Sequence, residues 1–176
     1  MTSKRTRPKA QGTSRQEKRP FPLPTGTVSS LESLLAQAVH HHQAGNFLQA
    51  EALYRQVLLH DPQNADALHL LGLIAHQSGQ TERAITLIGQ AIAANPTVSA
   101  FHYNLGMAFK AQGKLDKAAD CYRQAIRLQP DFAEAHANLG MVLHQQGDLD
   151  GAASCYQTAL RLQPGWTAGY LYLGMV

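Results

Sequence analysis

Four glycines, Gly45, Gly79, Gly113 and Gly147, stand 34 residues apart, and the residues around them repeat with the same step. Alanines recur at Ala50, Ala84, Ala118 and Ala152, and prolines at Pro62, Pro96, Pro130 and Pro164. A chain in which several residue types keep one period is one supersecondary unit copied along a line, each copy burying its apolar face against the next. Within residues 99–132, Leu105, Gly106 and Phe109 share one helical face, and Leu115, Ala118, Tyr122 and Ala125 share another. Each unit therefore reads as two amphipathic helices. Gly113 stands where the first helix must close, since glycine enters the left-handed conformation without a Cβ penalty. Pro130 stops the second helix. Gly106 and Ala118 are small where the two helices of the unit should cross.

The string His102-x2-Leu105-Gly106-x2-Phe109, followed by Ala118-x3-Tyr122, Ala125 and Pro130, resembles the tetratricopeptide repeat; His136, Leu139, Gly140, Leu143, Ala152, Tyr156, Ala159 and Pro164 repeat it. The resemblance covers residues 31–176 and implies an all-α fold, a right-handed superhelical solenoid of antiparallel helix pairs. Its units are 31–64, 65–98, 99–132 and 133–166, with a fifth begun at 167–176. The first unit departs from the pattern with Gln37, Ala38 and His41, and the second carries Ile88 in the place of Tyr. The final stretch, Tyr170 to Val176, is apolar where a solenoid normally presents a polar cap. It reads as a truncated fifth unit of a longer protein.

Composition fits a repeat domain, with 44% apolar and 15% charged residues. No stretch approaches the roughly 20 apolar residues of a membrane span, and the N-terminus lacks the apolar core of a secretory signal. The expected location is the cytoplasm. The net charge of +3 is unevenly spread: residues 1–30 hold seven Lys and Arg against Glu17 alone, so this segment is +6 and the units together are −3. With Pro8, Pro20, Pro22 and Pro24 interspersed, the segment is expected to be a disordered tail. Its charge suits a weak, nonspecific, salt-screened contact with nucleic acid or an anionic surface.

Cys121 and Cys155 occupy equivalent places in successive units. Equivalent helices in stacked units lie roughly 10 Å apart, whereas a disulfide needs Cα atoms within about 7 Å, so free thiols are expected. Of nine histidines, His40, His41 and His42 are consecutive and diverge around a helix by about 100° each. His69 and His76 are two turns apart, and no metal site or cofactor is expected. His102 and His136 hold a place often taken by Trp in the family, where an amphipathic ring packs between units. There is no glycine-rich phosphate loop, nucleophile elbow or zinc-protease motif, and the chain is expected not to be an enzyme.

A line of polar residues suits a peptide-binding groove. The resemblance puts the first helix of each unit on the concave surface, and by register those faces present His42 and Gln43, His76 and Gln77, Lys110 and Ala111, then His144 and Gln145. Deeper in, Asn104 and Asn138 share one position, flanked by Tyr103, Met107 and Met141. Each amide is expected to donate to, and accept from, the backbone of an extended peptide. A helix spacing near 10 Å matches about three residues of extended chain at roughly 3.3 Å each. The clamp that some family members close on a C-terminal carboxylate needs Lys and Asn where this chain has Leu35 and Val39.

The strings from Asp66 to Gly72, Phe101 to Gly106 and Glu134 to Gly140 also look like the repeats that precede the catalytic domain of bacterial O-linked N-acetylglucosamine transferases, and repeats of this kind precede sulfotransferase and methyltransferase domains too. That group lines its groove with asparagines at the place of Asn104 and Asn138, but the first two units here have Ala36 and Leu70. Two functions follow: a scaffold that binds extended peptide segments of a protein partner in its groove, or the substrate-recruiting part of a larger transferase.

Overall fold

Alternating apolar faces of about 14 residues, interrupted every half-period, leave a chain like this no way to hide its apolar surface except by folding each half back on the last. The computed structural model describes residues 26–176 and does so with nine α-helices and no strand among the described residues. They run α1 Gly26–Gln43, α2 Phe47–His60, α3 Ala65–Gln77, α4 Thr81–Ala94, α5 Ser99–Ala111, α6 Leu115–Leu128, α7 Ala133–Gln146, α8 Leu149–Leu162 and α9 Thr167–Leu173. Helices pair as α1 with α2, α3 with α4, α5 with α6 and α7 with α8, and each pair packs on the next. The result is the expected all-α, right-handed solenoid. Helix α1 begins at Gly26, upstream of the unit boundary at 31; residues 1–25, which carry the basic charges of the expected tail, lie outside the described residues.

The glycines close the first helices as the period demands. Gly45, Gly79, Gly113 and Gly147 have φ between 71° and 84°, and no other described residue has positive φ. This left-handed residue lets the chain reverse within a few residues and start the second helix. Between units the chain is held by side chains instead: Asn64 caps α3 by accepting from Ala67 N at 3.0 Å, and His102 and His136 donate from Nε2 to the carbonyls of Pro96 and Pro130 at 3.0 and 2.9 Å. Each of those histidines thus ties the start of its unit to the proline that closes the previous one.

Within a pair, the close crossing falls on Gly72, Gly106 and Gly140. A Cβ at Gly106 would lie 2.7 Å from Tyr122 Cε1, and one at Gly140 would lie 2.6 Å from Tyr156 Cε1. Burying rings this completely is worth about 1.5–3 kcal/mol apiece, and the missing side chain on the facing helix makes the room for them. Ile88 fills the same place against Gly72, and the first unit sets Tyr54 beside the fully buried Ala38. Cys121 and Cys155 are free and half-buried, and burial pushes the Cys121 thiol up to about 11. No helix among the described residues is long and apolar enough to cross a membrane.

Candidate functional site

The residues expected to form the polar row lie on the first helices α1, α3, α5 and α7, one pair to a unit. Its inner members, His42, His76, Lys110 and His144, are half-buried, and its outer members, Gln43, Gln77, Ala111 and Gln145, are exposed. Among the described residues, no cluster of three or more His, Cys, Asp or Glu is placed to hold a metal ion.

Asn104 on α5 and Asn138 on α7 are half-buried, and their amides are not free. Asn104 Nδ2 sits 2.8 Å from His69 Nε2 on the neighbouring unit. Asn138 Nδ2 donates to Tyr103 Oη at 3.1 Å and to the Glu134 carbonyl at 3.0 Å, and Asn138 Oδ1 accepts from Lys110 Nζ at 3.2 Å. An amide has two N–H donors and two acceptor lone pairs, so Asn138 has spent both donors and keeps one acceptor position. Asn104 keeps one N–H and its Oδ1. The expectation that each asparagine offers a donor and an acceptor to a peptide is therefore corrected at Asn138: only its oxygen remains available.

These bonds join residues 35 apart, one period plus one. His69–Asn104 spans the second and third units, and Tyr103–Asn138 spans the third and fourth. The same offset from the first unit pairs Leu35 with Leu70, which can make no such bond. His69 is 8% exposed and lies against the Phe101 ring at 4.4 Å between centroids. Burial, with a smaller contribution from His42, lowers its pKa to about 4. A neutral imidazole is what the Asn104 bond requires, because a protonated Nε2 could not accept it.

Tyr103 packs its ring on Phe132 and Tyr122. Burial raises its pKa, Glu134 adds to the rise, and the Asn138 bond opposes it. Lys110 Nζ lies 3.8 Å from Met141 Sδ besides its bond to Asn138, and burial lowers its pKa. Met107, Lys110, Ala111 and Asn138 line a depression of about 260 Å³ open to the groove. Five of the residues expected to form the site, Asn138, Tyr103, Met107, Met141 and Lys110, thus belong to one connected group around α5 and α7, whereas among the described residues no hydrogen bond joins His76, Gln77, His144 or Gln145 to it.

Unit-by-unit differences leave two buried polar atoms without partners. In the first unit His42 Nδ1 and Tyr54 Oη are 3.3 Å apart. In the second, Ile88 replaces the tyrosine and His76 Nδ1 is left unpartnered; in the third, Lys110 replaces the histidine and Tyr122 Oη is left unpartnered. A second set of ties runs along the turns: Gln112 Nε2 donates to Glu82 Oε1 at 2.9 Å and Gln146 Nε2 to Asp116 Oδ1 at 2.7 Å. The groove pairs are offset by 35 residues and the turn pairs by 30, a regularity that appears only once the stacking of neighbouring units is known.

Two family models described as tetratricopeptide repeat match residues 41–108 and 103–165. No curated protein matches the chain. Among solved structures, MamA is 28% identical with a TM-score of 0.73, the alignment covering 78% of this chain and 81% of that one. A Thermobaculum terrenum O-GlcNAc transferase mutant is 30% identical with a TM-score of 0.74, over 79% of this chain and 27% of that one. PilF of Pseudomonas aeruginosa shares the fold, with a TM-score of 0.77 at 22% identity over 86% of this chain and 69% of that one. The two matches together span residues 41–165, from the end of α1 through α8, over glycine-closed first helices and small-residue crossings, and the chain belongs to the tetratricopeptide repeat family.

Proposed function

We propose that this protein is a non-catalytic interaction scaffold whose concave groove holds an extended peptide segment of a protein partner. The observation that carries it is the one-per-unit row of half-buried polar side chains on α1, α3, α5 and α7, with hydrogen-bonding capacity left over at Asn104 and Asn138. A peptide running along that row would meet a hydrogen-bonding side chain at about every third residue. The family match and the MamA likeness support a scaffold of this kind. The basic residues of segment 1–30 add, on the same reading, a weak electrostatic contact with nucleic acid or an anionic surface. The test is selection of peptides from a random library, followed by affinity measurement on the parent and on the Asn104→Ala, Asn138→Ala double variant. Peptides that bind the parent and lose affinity on the double variant support the groove. Equal binding would place the contact elsewhere.

A second function is the substrate-recruiting arm of a larger transferase. The Thermobaculum terrenum O-GlcNAc transferase favours it, since the alignment covers only 27% of that chain. A catalytic domain encoded in frame after Val176 would support it, and a stop codon there would sink it.

A further inference from the structure

The depression lined by Met107, Lys110, Ala111 and Asn138 exists because the third unit departs from the others at two adjacent positions. Where the other units carry His42, His76 and His144, the third carries Lys110; where they carry Gln43, Gln77 and Gln145, it carries Ala111. The first change introduces a full positive charge. The second removes the exposed side chain that would cover it. Lys110 is the only Lys or Arg in helices α1, α3, α5, α7 and α9.

Its ammonium is half-buried and bonded only to neutral atoms, Asn138 Oδ1 at 3.2 Å and Met141 Sδ at 3.8 Å. No carboxylate among the described residues forms an ion pair with it, whereas Arg55, Arg83 and Arg123 each have one. A partly desolvated cation with donors to spare is an incomplete arrangement, because an ammonium carries three and the neutral partners satisfy it weakly. The volume, about 260 Å³, falls below the roughly 300–1,000 Å³ of sites for small molecules, so it suits a single side chain. The groove continues past it on both sides, over α3 and α7, so a bound chain would pass through and not end there.

From this coincidence of charge, opening and position we propose that Lys110 reads an acidic side chain, Asp or Glu, in the middle of the peptide that lies in the groove. The inference rests on the groove reading above and adds to it the chemical class of one ligand residue. The carboxylate would replace the weak sulfur contact and bond the ammonium beside Asn138, with Ala111 leaving it room.

The probe is a set of acetylated and amidated peptides, taken from those selected on the parent protein, in which a single Glu is walked along a neutral background. One position should prefer Glu by roughly ten- to hundredfold over Gln, the range expected of a charge-assisted hydrogen bond in a partly dry site. Lys110→Met, which keeps the aliphatic stem, should abolish that preference, and Lys110→Glu should transfer it to Lys or Arg at the same peptide position. Ala111→Gln keeps the charge and sits on an exposed helix end; by refilling the depression it too should remove the preference, and circular dichroism checks that each variant stays folded. A Glu preference indifferent to both Lys110 and Ala111, or none at all among peptides that do bind, overturns the inference while leaving the groove standing. Binding that needs a free C-terminal carboxylate and fails on amidated peptides overturns the side-chain assignment. If no peptide binds the parent, the groove reading fails and takes this inference with it.

Discussion

His69 is the residue through which acid should loosen this solenoid. It is 8% exposed, lies against Phe101 and accepts from Asn104 through a nitrogen that must stay unprotonated. The folded protein holds its pKa at about 4 against an ordinary 6.5, chiefly by burial and secondarily by the charge of His42. Unfolding therefore takes up a proton below pH 6.5, so this histidine's share of stability is full above that pH and is lost as pH falls toward 4. Each pH unit between the two values corresponds to about 1.4 kcal/mol. The loss is roughly 2 kcal/mol at pH 5 and roughly 3 kcal/mol near pH 4. For a chain of 176 residues, 2 kcal/mol is roughly 4–8 °C in melting temperature. The measurement is a pair of thermal melts by far-ultraviolet circular dichroism, at pH 7 and pH 5, on the parent and on His69→Gln, which keeps a hydrogen-bonding group but does not titrate. Other groups titrate in both proteins, so only the difference counts: the parent should lose about 2 kcal/mol more than the variant. Parallel losses would show that His69 is hydrated or already charged when folded, and that burial at the second-to-third junction is looser than its packing implies.

The Asn104→Ala, Asn138→Ala variant should weaken a groove-bound peptide by about 1–3 kcal/mol. It should also lower stability by about 0.5–1.5 kcal/mol for each lost tie, measured by urea denaturation; an unchanged midpoint would mean that the His69 and Tyr103 bonds are not made in solution. Gly89 and Gly140 should respond to alanine with opposite signs. Nothing lies within 4 Å of a Cβ built at Gly89, so Gly89→Ala should gain up to about 1 kcal/mol of helix propensity. Gly140→Ala meets Tyr156 and Cys155, and Gly140→Leu should cost roughly 1–3 kcal/mol; melts that move in the same direction for Gly89→Ala and Gly140→Leu would refute the crossing geometry. Removal of residues 1–24, which leaves α1 whole, should abolish retention on heparin at low salt while leaving the melt unchanged; retention that survives would move the contact onto the helices.

What could be read in advance was whatever depends on one residue's own conformation or size. A 34-residue step in glycines dictates where helices close, because positive φ selects glycine locally, and all four positions have it. The crossings at Gly106 and Gly140 followed from smallness alone. The state of the asparagines did not follow, because their partners sit on another helix 35 residues away, and whether His69 reaches Asn104 is decided by how two units stack. The depression at Lys110 was equally hidden, since it is made by what Ala111 lacks. The start of α1 at Gly26 lies among Gly26, Thr27, Ser29 and Ser30, which are poor helix formers, and the apolar period by itself begins only at Leu31.

The ties between units are unevenly distributed, and this sets where the molecule can bend. The second and third units are fastened at both edges, by His69–Asn104 on the groove side and Glu82–Gln112 along the turns; the third and fourth are fastened likewise by Tyr103–Asn138 and Asp116–Gln146. At the first junction Leu35 and Leu70 face each other in the groove register, Leu48 stands where an acid would be, and Ser78 bonds back to its own helix at Ile74. Among the described residues, the one charged tie there runs from Arg83 to Glu51, which Arg55 shares. The second-to-third and third-to-fourth junctions should therefore hold the superhelical pitch more stiffly than the first. A peptide held in the proposed groove over α3, α5 and α7 would meet a ruler with fixed divisions, and only its end over α1 would find a division that can stretch.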